Sequence, residues 1–351
     1  MGRHVTMQDV ADRANVSKST VSLVFNGSKQ ISAATSEAVY QAASDLGYTR
    51  DPLARMLRTR QTHSLGLLLP QSLDMILENP YYTQFLQGIG QTCQQEGYTL
   101  LLAPPMRGSM LKTIPYTAVD GFIVTGLEDD RGEVEALRQR GIPFVLVDSE
   151  PRDGVPGIEI DDAAGMKEMV RHLLSLGHRR IGIAAIETLV AGGYLNWRGS
   201  VQGRMQGVIE ALDEVGLSLD DDGINVVEVP CTRAGGVRAF DTLWQSPSRP
   251  TAIAAFSDVI ALGVIDAARE AGVSVPQDLS ASGFDDLAEA AWVRPSLTTV
   301  RQPIATKGRL AAEYLVEAIT GGVSSRPQVQ RLGTALLVRE STGPVAPGGY
   351  R

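Results

Sequence analysis

The chain is poor in the residues that staple or metallate small folds: its 351 residues include two cysteines, Cys93 and Cys231, and four histidines. Two cysteines make no disulfide framework, and no Cys/His spacing matches a zinc site, so no metal is expected. No run of about 18 apolar residues occurs, so no membrane span is expected. The N-terminus lacks the apolar core of a secretory signal and passes at once into polar, helix-forming sequence. A phosphate-binding glycine loop and an ordered Ser-His-Asp set are also missing, so neither an enzyme nor a cofactor is expected. What is present is ordinary globular composition, 43% hydrophobic and 21% charged. That suits a cytoplasmic protein of two or three domains.

Excess positive charge is lacking too, since the net charge is -8. It is unevenly spread. Residues 1–60 carry eight Lys or Arg against five Asp or Glu, which leaves 24 against 35 for the remainder. An acidic body repels a polyanion, whereas a mildly basic head can meet phosphates.

Three zones follow along the chain. Residues 5–49 hold helical patterns, and 50–62 (RDPLARMLRTRQT) form an arginine-rich connector. From Ser64 to about Arg339, continuous apolar runs alternate with amphipathic helical stretches. Strands are expected at 65–69, 99–103, 121–125, 144–147, 157–160, 181–185, 226–229, 252–256 and 279–283. Continuous runs suit parallel strands covered on both faces, and their alternation with helices implies doubly wound α/β architecture, enough for two lobes. Ligands of such sheets sit beyond the carboxyl ends of the strands.

In the head, Thr6 and Asp9 fit a capping box, and Val10, Ala11 and Ala14 give one apolar face. Asn15 falls where a tight turn needs left-handed backbone, and Ser17 can cap a second helix. There Val21, Val24 and Phe25 face inward, leaving Lys18, Ser19, Ser22 and Leu23 as an outer stripe slim enough for a major groove. A third helix runs from Ser32 or Thr35 to Leu46 and closes at Gly47. Three packed helices with an ordinary solvated face are the plain alternative.

The order of these residues resembles the LacI/GalR family of transcription regulators. The matches are Val5 to Ala11, Ala14 to Ser17, Ser19 to Ser22, Phe25-Asn26-Gly27, Leu46-Gly47-Tyr48 and Leu53 to Leu57, followed by Gly177-His178, Ser257-Asp258, Gly283 to Asp286 and Pro295 to Val300. The resemblance implies an all-α helix-turn-helix head plus an α/β periplasmic-binding-protein-like core of two doubly wound lobes. It places a DNA-binding domain at 1–50, a hinge helix or linker at 51–62, a core at 63–342 and a tail at 343–351. The N-lobe is expected at about 63–161 and 290–325, and the C-lobe at about 162–289 and 326–342.

It further implies a homodimer that binds a pseudo-palindromic double-stranded DNA operator, probed by a small-molecule, sugar-like effector between the lobes. DNA contacts are expected from Thr6, Ser17, Lys18, Ser19, Thr20, Ser22, Leu23 and Asn26, and from Ala54, Arg55 and Leu57 of the hinge. Leu57 would wedge into the minor groove; a plain charged linker is the alternative. Departures from the family are Leu23 for a common arginine, Asn15 for a turn glycine, and Arg50-Asp51 for Pro-Asn. A short stretch with three prolines at 104–118 implies a reduced helix.

Effector contacts are expected from Arg204 and Asp285, which align with a ligand-binding arginine and aspartate. Gln71, Ser72, Tyr82 and Asp148 stand at suitable strand ends, with Ser257 and Asp258 at a helix start. Asp258 reads equally as a cap. Trp197 and Trp292 each read as a sugar-stacking ring, as core or as a dimer contact. His172 and His178 read as structural, and the helix 307–320 as a dimer face. A solute-binding protein without gene regulation is the competing function, but it needs export and has no use for a helical head.

Overall fold

The computed structural model describes residues 5–25, 27–28, 30–49, 56, 61–127, 130–188, 193–322 and 328–345. The chain divides into two compact units, Met1–Thr62 and His63–Arg351.

In the first unit, α1 (Met7–Ala14), α2 (Lys18–Phe25) and α3 (Ala33–Asp45) begin and end as their caps dictate. Thr6 and Asp9 close the capping box, with the Thr6 amide donating to Asp9 Oδ2 at 2.8 Å. Asn15 stops α1 at φ 52°, a left-handed turn that Asn accepts more readily than most residues. Ser17 Oγ accepts from the Thr20 amide at 3.0 Å, and Ser32 Oγ from the Thr35 amide at 3.2 Å. The fully buried side chains, among them Val10, Val21, Val24, Val39 and Ala42, are small. Phe25 widens this thin core by stacking on Tyr48 and meeting Tyr40 edge-on.

The second unit holds two six-stranded sheets. The first is built from β1 (Ser64–Leu68), α4 (Leu73–Glu78), α5 (Pro80–Glu96), β2 (Thr99–Ala103), α6 (Met110–Thr113), β3 (Gly121–Thr125), α7 (Glu133–Gln139), β4 (Phe144–Val147) and β5 (Gly157–Ile160). The chain then crosses to α8 (Asp162–Ser175), β6 (Ile181–Ile186), α9 (Gly199–Asp213), β7 (Ile224–Val229), α10 (Arg233–Trp244), β8 (Ala252–Ala255), α11 (Asp258–Glu270), β9 (Ser280–Asp285), α12 (Ala288–Trp292) and β10 (Thr298–Arg301). It returns for α13 (Ile304–Thr320) and β11 (Val329–Leu332), and crosses a last time for β12 (Ala335–Leu337).

Strand orders are β2-β1-β3-β4-β5-β11 in the N-lobe and β7-β6-β8-β9-β10-β12 in the C-lobe. All pairings are parallel except β10 with β12. Helices cover both faces, so β3, β4, β8 and β9 are buried from end to end, which explains the apolar runs of β3, β4 and β8 and the small residues of β9.

Two expectations need correction. The return to the N-lobe falls at Gln302–Pro303, not near 290, because β10 pairs with β9 in the C-lobe sheet. β11 lies in the N-lobe sheet beside β5, although 326–342 was assigned to the C-lobe. The helix 307–320, expected as a dimer face, is α13, which packs its inner side along α5 and over β3 to β5 with Lys307, Gly308, Ala311, Tyr314 and Leu315 buried. At that crossing a Cβ on Gly88 would stand 1.9 Å from the Ala305 carbonyl oxygen, and one on Gly308 2.2 Å from that of Phe85. Only glycine lets these two backbones meet.

The expected tail does not begin free at 343: the Gly343 carbonyl accepts from Ser280 Oγ, and the Val345 amide donates to Leu176. His178 is buried there, with Thr251 2.9 Å from its Nδ1 and Ser280 3.1 Å from its Nε2, as a structural residue would be. The proline-rich stretch supplies one turn, α6, and a 3-10 turn at Ile114–Tyr116.

Candidate functional site

A cavity of about 300 Å³ opens between the lobes. Gln71, Tyr82 and Asp148 line it from the N-lobe, and Arg204, Ser257 and Asp285 from the C-lobe, so six of the nine expected residues converge on one space. Gln71, Asp148, Ser257 and Asp285 stand at the carboxyl ends of β1, β4, β8 and β9, where open parallel sheets leave room between loops, and Tyr82 and Arg204 reach in from α5 and α9.

Each lobe presents an aspartate beside a buried cation. On the C-lobe, Arg204 lies in the second turn of α9 rather than opening it, since α9 starts at Gly199. Its Nε donates to Asp162 Oδ1 at 2.9 Å, one Nη donates to the Phe256 carbonyl, and the other stands 4.0 Å from Asp285 Oδ1. The guanidinium also covers the Phe284 ring, 3.9 Å from its centroid. Burial opposes its charge, yet Asp162 and Asp285 outweigh that and hold its pKa above the usual value. Asp285 accepts from Ser257 Oγ at 3.0 Å and from Gln302 Nε2 at 2.5 Å. Its φ of 134° is rare for any residue but glycine, and these bonds keep it there.

On the N-lobe, Asp148 Oδ2 accepts from Tyr81 Oη at 2.8 Å and from Lys307 Nζ at 2.5 Å. Lys307 is fully buried, with its ammonium 5.1 Å from the Tyr81 ring centroid. Burial, then Asp148, pushes the Tyr81 hydroxyl well above its usual range, so it stays a donor. Cys231 accepts from Asn79 Nδ2 at 3.6 Å across the cleft, and burial raises its thiol to about 11, leaving it protonated. Neutralised carboxylates beside amide, phenol and guanidinium donors match a ligand rich in hydroxyls.

Three expected effector residues stand elsewhere. Trp197 is 1% exposed and packs edge-on against Tyr194 and Phe256 in the C-lobe core. Asp258 is buried as a bracket, accepting from Thr299 Oγ1 at 2.5 Å and from the Leu287 amide at 2.8 Å. Burial, then Asp285, raises its carboxyl above the usual range. Ser72 precedes α4 as an exposed cap residue away from the cavity lining. Sequence reasoning missed Asn79, Tyr81, Cys231, Lys307, Asp162 and Gln302. Asn79-Pro80 was a readable helix start, for Asn79 caps α5; the others carried no local signal.

In the head, Ser17, Lys18 and Ser19 are exposed at the start of α2, and Leu23 is 39% exposed one turn later. Ser17 Oγ is 2.6 Å from Ser19 Oγ and 2.8 Å from Thr20 Oγ1, gathering three hydroxyls at the helix N-terminus, a place suited to phosphate. Ser22 is half-buried, and Thr6 is exposed with its hydroxyl on Asp9. Asn26, Ala54, Arg55 and Leu57 lie outside the described residues.

Residues 6–51 match the model of bacterial regulatory proteins of the lacI family, and residues 170–342 that of the periplasmic binding protein-like domain. The chain is 33% identical to an HTH-type transcriptional regulator of Mycolicibacterium smegmatis over 98% of both chains. It is 34% identical to the ribose operon repressor of Haemophilus influenzae over 90% of this chain and 92% of that one. The solved complex of the transcriptional regulator CelR with cellobiose superposes with a TM-score of 0.71 at 30% identity, covering 96% of this chain and 99% of the other. Helical head, paired doubly wound lobes and full-length similarity agree: the chain belongs to the LacI family of bacterial transcriptional regulators.

Proposed function

We propose that the protein is a repressor that binds a pseudo-palindromic operator as a homodimer, with a neutral sugar held between its lobes as effector. The observation that carries the effector reading is the facing pair of aspartates. Asp148 with Lys307 and Asp285 with Arg204 stand on opposite walls of one cavity. A polyhydroxy ligand bonding to both walls favours the closed arrangement, and it acts on operator affinity through its different affinity for the two arrangements. Two relatives support the sugar class by their names, one a ribose operon repressor and the other a complex with cellobiose.

In the DNA reading, residues 1–50 form the reading head and 51–62 the hinge. Ser17, Lys18, Ser19, Thr20, Ser22 and Leu23 face the groove from α2, and Thr6 meets a phosphate. Asn26 and the hinge residues Ala54, Arg55 and Leu57 complete the contacts. The described part of this surface is narrow, polar and carries one lysine, as close approach to base edges requires.

A thermal-shift and calorimetric series with ribose, cellobiose and related sugars tests the cavity. A binding sugar raises the melting temperature, and Arg204→Ala weakens it by about a hundredfold, the loss of charge-assisted bonds worth about 3 kcal/mol. Retained affinity in Arg204→Ala would place the sugar elsewhere. Operator binding is checked with the chain's own upstream DNA against scrambled DNA at physiological salt, where equal affinity defeats the repressor reading.

A further inference from the structure

The lobes are joined by three crossovers: Ile160 to Asp162, Arg301 to Ile304, and Leu332 to Ala335. Two of them carry a buried polar side chain, and each reaches a different member of the cavity's charged pair. Asp162, first residue of α8, accepts from Arg204 Nε at 2.9 Å. Gln302, between β10 and α13, donates from Nε2 to Asp285 Oδ1 at 2.5 Å, and its amide points to the Asp285 carbonyl at 3.4 Å. Gln302 is 3% exposed and is not among the residues that line the cavity, which it reaches through Asp285. Its Oε1 is buried without a partner among the described residues, a burial that costs free energy and is tolerated only where the amide is needed in that place.

The bonds leave little slack. Arg204 is fixed by Asp162, the Phe256 carbonyl and the Phe284 ring; Asp285 is fixed by Ser257 and Gln302 at a strained φ. A ligand that draws either group toward the cavity therefore pulls on a crossover, the segment whose backbone angles set the disposition of the lobes. We propose that Asp162 and Gln302 are positioning residues that tie Arg204 and Asp285 to the two crossovers, converting sugar contact into lobe movement. The inference rests on the reading of the cavity as a sugar site.

Two measurements separate its failure from failure of that reading. The first is free of ligand. Hydrogen exchange is followed at the crossover segments 160–165 and 301–306 in wild type, Arg204→Met and Asp285→Asn. Loss of a cavity side chain speeds exchange at least threefold at its own crossover, 160–165 for Arg204→Met and 301–306 for Asp285→Asn. Unchanged exchange overturns the proposal. Where Arg204→Met does not fold, Arg204→Lys keeps the charge but loses the separate Nε and Nη donors that reach Asp162 and Phe256, and the same faster exchange at 160–165 is expected.

The second uses ribose and cellobiose with Asp162→Asn and Gln302→Leu, each titrated to saturation by calorimetry while operator affinity is measured. At saturation the sugar-induced change in operator affinity is at least fivefold smaller in both variants than in wild type. Full change at saturation would show that these side chains serve sugar affinity alone, and would overturn the proposal. If neither sugar binds wild type, the sugar reading of the cavity falls, and hydrogen exchange alone decides whether crossovers and cavity form one network.

Discussion

Among single residues, Asp162 shows how the site trades stability for position. Burial raises its carboxyl from 3.8 to about 6, and Arg204 only partly reverses that. The folded chain therefore binds a proton near pH 6 that the unfolded chain binds near pH 4. Between those values the native state holds the extra proton, so stability falls as pH rises through the window, and the full penalty remains above it. A shift of this size is worth on the order of 3 kcal/mol. Denaturant melts from pH 4 to 7 should show this downward slope in wild type and a flatter one in Asp162→Asn. A variant as steep as wild type would mean that another group titrates. Leu23 poses a different residue-scale question. Its exposed side chain offers apolar contact where the family commonly places arginine. In selection from random DNA, Leu23→Arg should gain preference for guanine at one position per half-site, by about 1–3 kcal/mol.

Helix pairs and strands carry the next level of consequence. α5 and α13 meet backbone to backbone at Gly88 and Gly308, so a methyl group at either must push the helices apart. Gly308→Ala should destabilise by about 3 kcal/mol, seen as a lower denaturation midpoint with an unchanged slope. A neutral result would require the helices to separate freely, against the buried side chains that line them. Elements of this kind were partly legible in the sequence. Continuous apolar runs marked β1, β3, β4, β6 and β8 because both faces of those strands are covered, and Thr6, Asn15 and Ser17 marked the head helices because caps are local chemistry. β11 and β12 were not legible: VQRL and ALL sit at sheet edges, half-exposed, and match neither period. The site was legible where strand ends signal it, at Gln71, Asp148 and Asp285, and by family alignment at Arg204. Trp197 misled because an aromatic ring suits a sugar and a core equally. Lys307 was not legible because its partner, Asp148, lies 159 residues away.

At the scale of the whole molecule, the two compact units should be separable. A chain beginning at His63 should keep wild-type affinity for a bound sugar and lose operator binding; calorimetry and a gel-shift assay on one preparation check both. The acidic body and mildly basic head also set the salt response. If a dimer neutralises about six phosphates, operator affinity should drop about 10³-fold between 50 and 200 mM salt. A shallow dependence would argue that the head reads bases with few backbone contacts. The crossovers carry one more implication, for biosynthesis. The N-lobe sheet needs β11 at 329–332, and α5 needs α13 at 304–320, so the lobe begun at Ser64 stays unfinished until most of the chain has been made. The ribosome therefore releases the apolar face of α5 long before its cover arrives, and that interval is when a nascent chain is most open to chaperones and to aggregation.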